Sequence, residues 1–261
     1  MGLCEPLKSE PSEYREARLV FYEDDILKRA LFTFGVGQHA ELLNLVRTNF
    51  QTYATSHQLD FFDCPLGVTT AEQWGRHPAW WKILGCLELF RQGYDEIQWL
   101  DCDCVIMQPW RRLLLDELPP GKSLGLVVHQ FCGSYTKTEH KIRYSPNTGS
   151  MVLRATARPL LEAMWAGDVS QPWWEQSALT ELLGLGPKGS PELPTSKDRA
   201  TNPWWEHIHE LPFQYNVFDQ DSRYPDPVFP HSLHVIRHAA SVKFEARVTK
   251  LQQWLAELSA D

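Results

Sequence analysis

Past its first eighteen residues, which are polar and carry Pro6 and Pro11, the chain alternates short apolar runs with segments whose apolar positions recur every three or four residues. Leu19–Asp25 and Leu31–Gly37 are aromatic-rich runs of strand character, the second ending in Gly35 and Gly37. From His39 to His57, Leu43, Val46, Phe50 and Tyr53 fall at helical spacing and predict an amphipathic helix. Leu59–Asp63 predicts a short strand closed by Pro65 and Gly67. Pro78 suits a first helical turn and Gly93 a C-terminal cap, so a second helix is expected from Pro78 to Gln92. Glu96–Trp110 reads as one buried strand broken by Pro109.

Farther along, strands are expected at 124–129, 147–155, near 211–217 and near 232–238, with helices at about 156–167 and 173–183. A last helix places Val248, Leu251, Leu255 and Leu258 on one face. Residues 184–205 are rich in Gly, Pro and Ser and predict a flexible loop or lid. Strands alternate with helices through the first half, which predicts an α/β sandwich around a mostly parallel sheet. At 261 residues and 30.2 kDa the chain can bury a core without disulfide or metal. Residues 19–261 are expected to form a single domain behind a polar lead-in over 1–18.

Lys and Arg number 25 against 33 Asp and Glu, a net charge of −8, which argues against nucleic acid or an anionic membrane as a general partner. No run of about 18 apolar residues is present, so no transmembrane segment is expected. The N-terminus lacks the apolar core of a signal peptide. Met1-Gly2-Leu3-Cys4 has Pro6 where a myristoylation signal carries Ser or Thr. The 6 cysteines show no C-x-x-C pair, read as reduced thiols, and point to a cytoplasmic location.

The strongest chemical feature is Trp99-Leu100-Asp101-Cys102-Asp103-Cys104-Val105. If the strand continues through it, Asp101 and Asp103 share one face and Cys102 and Cys104 the other. Two carboxylates at the C-terminal end of an apolar strand sit where open α/β sheets bind ligands. They can be two solvated aspartates, or they can hold a hard divalent cation such as Mn²⁺ or Mg²⁺ that also takes substrate phosphates. Adjacent alternating thiols make a poorer metal site.

Around this motif lie, in order, Tyr53-Ala54-Thr55-Ser56-His57, the Trp80-Trp81-Lys82 helix start, Asn147-Thr148-Gly149, Glu175-Gln176, and the late run His234-Val235-Ile236-Arg237-His238 leading to Lys243. This ordered set resembles the GT-A glycosyltransferases, and most closely the galactosyl/xylosyl/mannosyl-transferase family 34, over roughly residues 31–250. The resemblance implies a Rossmann-like GT-A domain with a central mixed, mostly parallel sheet flanked by helices. It implies transfer of a sugar, with retention of anomeric configuration, from a nucleotide-diphosphate sugar (a UDP-sugar) to a hydroxyl of a glycan or other acceptor.

By the same resemblance Asp101, Asp103 and His238 bind Mn²⁺ or Mg²⁺, with His234 the rival for His238. Lys82, Asp101, Asn147, Thr148, Gly149 and Lys243 face the donor, and Glu175 and Gln176 lie near the anomeric carbon. An inverting reaction would instead need a base such as Glu175 or Asp219. Cysteines flanking the aspartates, Ser241 in place of Gly, and Glu175 in place of Asp depart from the family pattern. The 11 tryptophans can fill the core or stack on sugars. Trp81 and Trp99 fit the core, while Trp204 or Trp205, beside the long loop, fit an acceptor glycan.

Two other classes compete. The same D-x-D-x-V run fits the nucleophile motif of haloacid-dehalogenase-type phosphatases, with Asp101 attacking phosphorus. That motif sits on a first strand, and here 100 residues precede it. A non-catalytic, Trp-rich carbohydrate-binding protein is the other.

Overall fold

A computed structural model describes residues 27–110, 113–134, 140–168, 170, 172–218, 234–240 and 242–259, with only the backbone course for 131–134 and 140–142. The expected lead-in, the strand at 19–25, Asp219 and Ser241 lie outside the described residues. The strands are β1 (Arg29–Phe32), β2 (Asp60–Phe62), β3 (Glu96–Leu100), β4 (Cys104–Ile106), β5 (Leu124–Ser134), β6 (His140–Arg154), β7 (Ile208–Glu210) and β8 (Ile236–His238). The helices are α1 (His39–Ser56), α2 (Ala71–Gly75), α3 (Trp81–Arg91), α4 (Arg158–Trp165), α5 (Trp174–Leu182), α6 (Ser196–Thr201) and α7 (Phe244–Leu258).

Six strands form one sheet in the order β2-β1-β3-β6-β5-β7, and β4 and β8 form a separate two-stranded ribbon. Within the sheet β6 alone runs against its neighbours, so the architecture is the expected α/β one with a mixed, mostly parallel sheet. Alternate residues of β1 feed two cores. Leu31 packs with Leu42, Val46 and Phe50 of α1 and Leu251 of α7. Ala30 and Phe32 pack on the other face with Trp80, Ile83, Phe90, Leu160 and Leu179 from the α3–α5 side. β1 is buried on both faces and reads as a continuous apolar run from Ala30 to Phe32, while β3 is equally buried but carries Glu96 and Gln98 among its apolar residues.

Several elements differ from expectation. The apolar run 96–110 is two strands, because the Cys104 N–H turns back onto the Asp101 carbonyl at 3.0 Å and closes a tight turn at Asp101–Asp103. The strand expected near 211–217 is displaced to β7, since Pro212 cannot donate to a ladder and a 3₁₀ turn follows at Phe213–Tyr215. Within 184–205 lies α6, whose Thr195 and Asp198 form a reciprocal capping box. The same stretch is tied to the sheet where Ser190 bridges Tyr144. Tyr53 and His57 are structural: the Tyr53 hydroxyl donates to Gln98 and accepts from the Leu114 N–H, and His57 meets the Pro109 carbonyl.

One irregularity positions the site. Leu126 of β5 stands opposite Met151 of β6, but Val127 stands opposite Asn147. Thr148, Gly149 and Ser150 are therefore surplus on β6 and swing out of the β5 ladder, as bulged strands do beside binding sites.

Candidate active site

The turn after β3, the bulge of β6, the start of α5, the end of β8 and the first turn of α7 converge on one cavity of about 820 Å³. It lies at the carboxyl ends of β1 and β3, where open α/β sheets bind ligands. Asp101 and Asp103 both line it, although they occupy a turn and not a continuous strand face. The turn is anchored on both sides: Asp101 N–H donates to the Gly149 carbonyl at 2.8 Å, and the Asp103 carbonyl accepts from Ala239 N–H at 2.9 Å.

The buried Lys82 ammonium on α3 lies 2.8 Å from Asp101 Oδ1 and 2.9 Å from Glu175 Oε1. It also donates to the Thr148 carbonyl at 3.3 Å. Burial alone would pull its pKa down, but the two carboxylates hold it above the ordinary lysine value, so it stays charged. Glu175 is buried and its pKa is raised, first by burial, with Lys82 opposing and Asp101 adding to the rise. Its Oε1 accepts from the Thr148 hydroxyl at 2.8 Å, while Oε2 is buried with no hydrogen-bond partner among the described residues. Gln176 accepts from the Thr148 N–H at 3.3 Å.

Asp103 Oδ1 lies 3.1 Å from His238 Nε2, and Asp101 Oδ2 lies 3.8 Å from the same nitrogen. Asp103 Oδ2 meets Arg247 Nη1 at 2.9 Å. Burial would push the Asp103 carboxyl up, yet His238 and Arg247 outweigh it and hold it below the usual carboxylate range. A relay fixes the imidazole. Gly149 N–H donates to Asn147 Oδ1 at 2.9 Å, so that atom is an acceptor. Asn216 Nδ2 donates to the same oxygen at 2.8 Å, which turns Asn216 Oδ1 toward His238 Nδ1 at 3.1 Å. His238 must then carry its proton on Nδ1, and in the neutral ring the Nε2 lone pair faces two carboxylates.

A protonated ring donates its Nε2–H to Asp103, whereas a neutral ring turns a lone pair to the carboxylates, and that state suits a cation. Adjacent octahedral ligands at about 2.1 Å from Mg²⁺ or Mn²⁺ lie about 3.0 Å apart, close to the Asp103–His238 separation of 3.1 Å. Among the described residues Asp103, Cys104 and His238 offer ligand atoms within 4.8 Å of one another. Burial and the neighbouring acids raise the Cys104 thiol well above its ordinary pKa, and it donates to the Gly149 carbonyl. A protonated thiol is a poor ligand for a hard cation, and Asp101 makes the better third donor.

The structure thus brings Lys82, Asp101, Asp103, Asn147, Thr148, Gly149, Glu175, Gln176 and His238 to one cavity. Lys243 is not in it: it caps the start of α7 and is exposed. Arg247, one helical turn on, reaches the cavity instead. His234 stands away from the aspartates, accepting from Arg237 Nε at 3.2 Å. Trp204 and Trp205 are also elsewhere. Trp205 is buried, donates to the Leu183 carbonyl at 3.0 Å and lies under the Arg199 guanidinium. Trp173 and Trp174 line the cavity in their place. Trp81 and Trp99 are core residues as expected. Besides Arg247, the sequence reading missed Arg143, Lys188 and Asn216. The first two line the cavity, so Lys82, Arg143, Lys188 and Arg247 face Asp101, Asp103 and Glu175 there. A chain of net charge −8 has a cationic pocket.

No family model and no curated protein sequence matches the chain. Its fold is similar to that of a solved glycosyltransferase involved in glycosylation of the major capsid of PBCV-1, at 14% identity and a TM-score of 0.50, covering 86% of this chain and 98% of that one. Mouse xyloside xylosyltransferase 1 matches at 11% identity and a TM-score of 0.40, covering 82% of this chain and 98% of that one. The first likeness is one of fold: a mixed, mostly parallel sheet flanked by helices. No helix among the described residues is long and apolar enough to cross a membrane.

Proposed function

We propose that the protein is a metal-dependent glycosyltransferase that moves a sugar from a nucleotide-diphosphate sugar, a UDP-sugar by its resemblance to family 34, to a hydroxyl of a glycan or other acceptor. The observation that carries this reading is the imidazole of His238, held through Nδ1 by Asn216 with its Nε2 toward Asp101 and Asp103. Those three residues would hold Mn²⁺ or Mg²⁺, which when bound neutralises charge on the leaving diphosphate.

The chain's own residues do the rest. Arg247 adds a second positive group beside Asp103 and reaches toward the diphosphate, the part given in the sequence reading to Lys243. Lys82 bridges Asp101 and Glu175 and so holds the two carboxyl groups at a fixed separation. Gln176, which lines the cavity beside Glu175, faces the donor sugar. Glu175 has one oxygen committed to Lys82 and Thr148, so it supports the sugar and does not deprotonate the acceptor, in keeping with retention. The buried, free thiols of Cys86, Cys102 and Cys104 suit a reducing, cytoplasmic setting.

The test is titration of UDP into native and Asp103→Ala protein with and without Mn²⁺. Native protein should bind UDP only with the metal and hydrolyse a UDP-sugar slowly. The variant should lose both while melting as a folded protein. Retained metal-dependent binding in the variant would refute the assignment.

A further inference from the structure

Trp174 opens α5 with a φ of 51°, in the left-handed region that a bulky side chain avoids. Such strain persists only where the surroundings fix it, and it gathers at ligand sites. Burial is not what holds it, because the residue keeps 39% of its surface exposed. One face of the ring is covered: the imidazole of His77 stacks on it with centroids 3.9 Å apart and planes 4° from parallel. The imidazole is itself fixed, since its Nδ1 accepts from the Ala79 N–H at 3.2 Å where the chain turns into the helix at Pro78. The outer face and edge of Trp174 are therefore presented on a two-layer platform at the wall of the cavity, one residue before the buried Glu175.

We propose that the outer face of Trp174 is the acceptor subsite and that it takes a pyranose ring. A pyranose offers one flat C–H face and a rim of hydroxyls, and so needs an aromatic plane bordered by polar groups. Gln176, Arg143 and Lys188 line the cavity with Trp174 and supply such a border. The inference rests on the glycosyltransferase reading, and gives that reading a carbohydrate acceptor.

Methyl gluco-, galacto-, manno- and xylopyranosides serve as probes in ligand-observed NMR, with native, Trp174→Ala and Trp174→Phe proteins, each with and without UDP and Mn²⁺. At least one pyranoside should bind native protein, the Ala variant should weaken it about tenfold or more, and Phe should restore most of the loss. Trp174→Gly, which relieves the left-handed backbone, should lose the sugar while keeping a thermal midpoint near the native one, an outcome that a purely structural tryptophan would not give. Absence of any pyranoside signal with UDP and Mn²⁺ present, or equal binding by the Ala variant, would overturn the subsite. An equal loss of UDP affinity in the Ala variant would make Trp174 a base-stacking residue and overturn it as well. Failure of native protein to bind UDP would sink the transferase reading and with it the acceptor role, while the pyranoside arm without UDP would still decide whether Trp174 is a sugar platform.

Discussion

Gly149 has no side chain where the bulge of β6 passes the ring of His238, and a methyl there has nowhere to go. An alanine Cβ would lie 2.2 Å from His238 Cε1, 2.8 Å from its Nδ1 and 2.9 Å from Asn147 Oδ1. Carbon atoms settle at about 3.5 Å or more, so the ring must withdraw by roughly 1.3 Å (3.5 − 2.2). Gly149 is not in the left-handed region, so the substitution is a matter of space and not of backbone strain. A shift of that size breaks the alignment of Nε2 with Asp101 and Asp103. Displacing a ligand's support costs about 10–100-fold in metal affinity, equivalent to about 1.4–2.7 kcal/mol. Overpacking adds a stability loss of about 1–3 kcal/mol, or a few degrees per kcal/mol in a chain of this size. Gly149→Ala protein should therefore stay folded at room temperature and bind UDP at least about tenfold more weakly in Mn²⁺, with no difference from native in EDTA. Isothermal titration alongside a thermal melt reads both quantities. Gly75, which has no atom within 4 Å of a built Cβ, is the control, and its Ala variant should match native in both. Native-strength UDP–Mn²⁺ binding by Gly149→Ala would refute the placement of His238.

Lys82→Met leaves Asp101 and the buried Glu175 without their shared cation, an uncompensated burial worth about 3–5 kcal/mol. Denaturant melts should show that loss, and the Lys82→Met/Glu175→Gln double variant should be more stable than the single one. Asn216→Leu frees His238 Nδ1 while leaving both aspartates in place, and should lower Mn²⁺-dependent UDP affinity about 10–100-fold in the same titration. Burial raises the Tyr53 hydroxyl to about 12, above its unfolded value of about 10. Its contribution is thus complete below about pH 10 and lost as pH climbs through the folded value, up to about 2.7 kcal/mol. Melts between neutral and strongly alkaline pH should show a steeper decline in native protein than in Tyr53→Phe.

Most helices were legible because their burial is periodic: α1, α3 and α7 lie within a few residues of where spacing, Pro78 and Gly93 put them. The D-x-D turn was hidden, since Trp99-Leu100 and Cys104-Val105-Ile106 are strand-like on both sides and only the Cys104-to-Asp101 hydrogen bond interrupts them. Asp101, Asp103 and His238 were found by their order along the chain. Asn216 was not, because in Phe213-Gln214-Tyr215-Asn216-Val217-Phe218 it is one of two alternating polar residues with nothing to set it apart. Arg247 had a trace that went unread: it sits on α7 one turn after Lys243, on the same side as His39, to which it comes within 3.3 Å. The paired tryptophans misled, because residue type alone cannot tell an indole capped by the Leu183 carbonyl from one left half open.

The surplus residues Thr148–Ser150 divide the β5–β6 hairpin mechanically. Met151 to Leu153 keep one alignment with Leu124–Leu126 and belong to the core, while Asn147 and the residues before it keep another. The outer arms can thus change register without moving the alignment of Met151–Leu153 with Leu124–Leu126. Evolution could remodel the reach of this hairpin while the inner arms held still, much as a crane swaps its jib above a fixed mast.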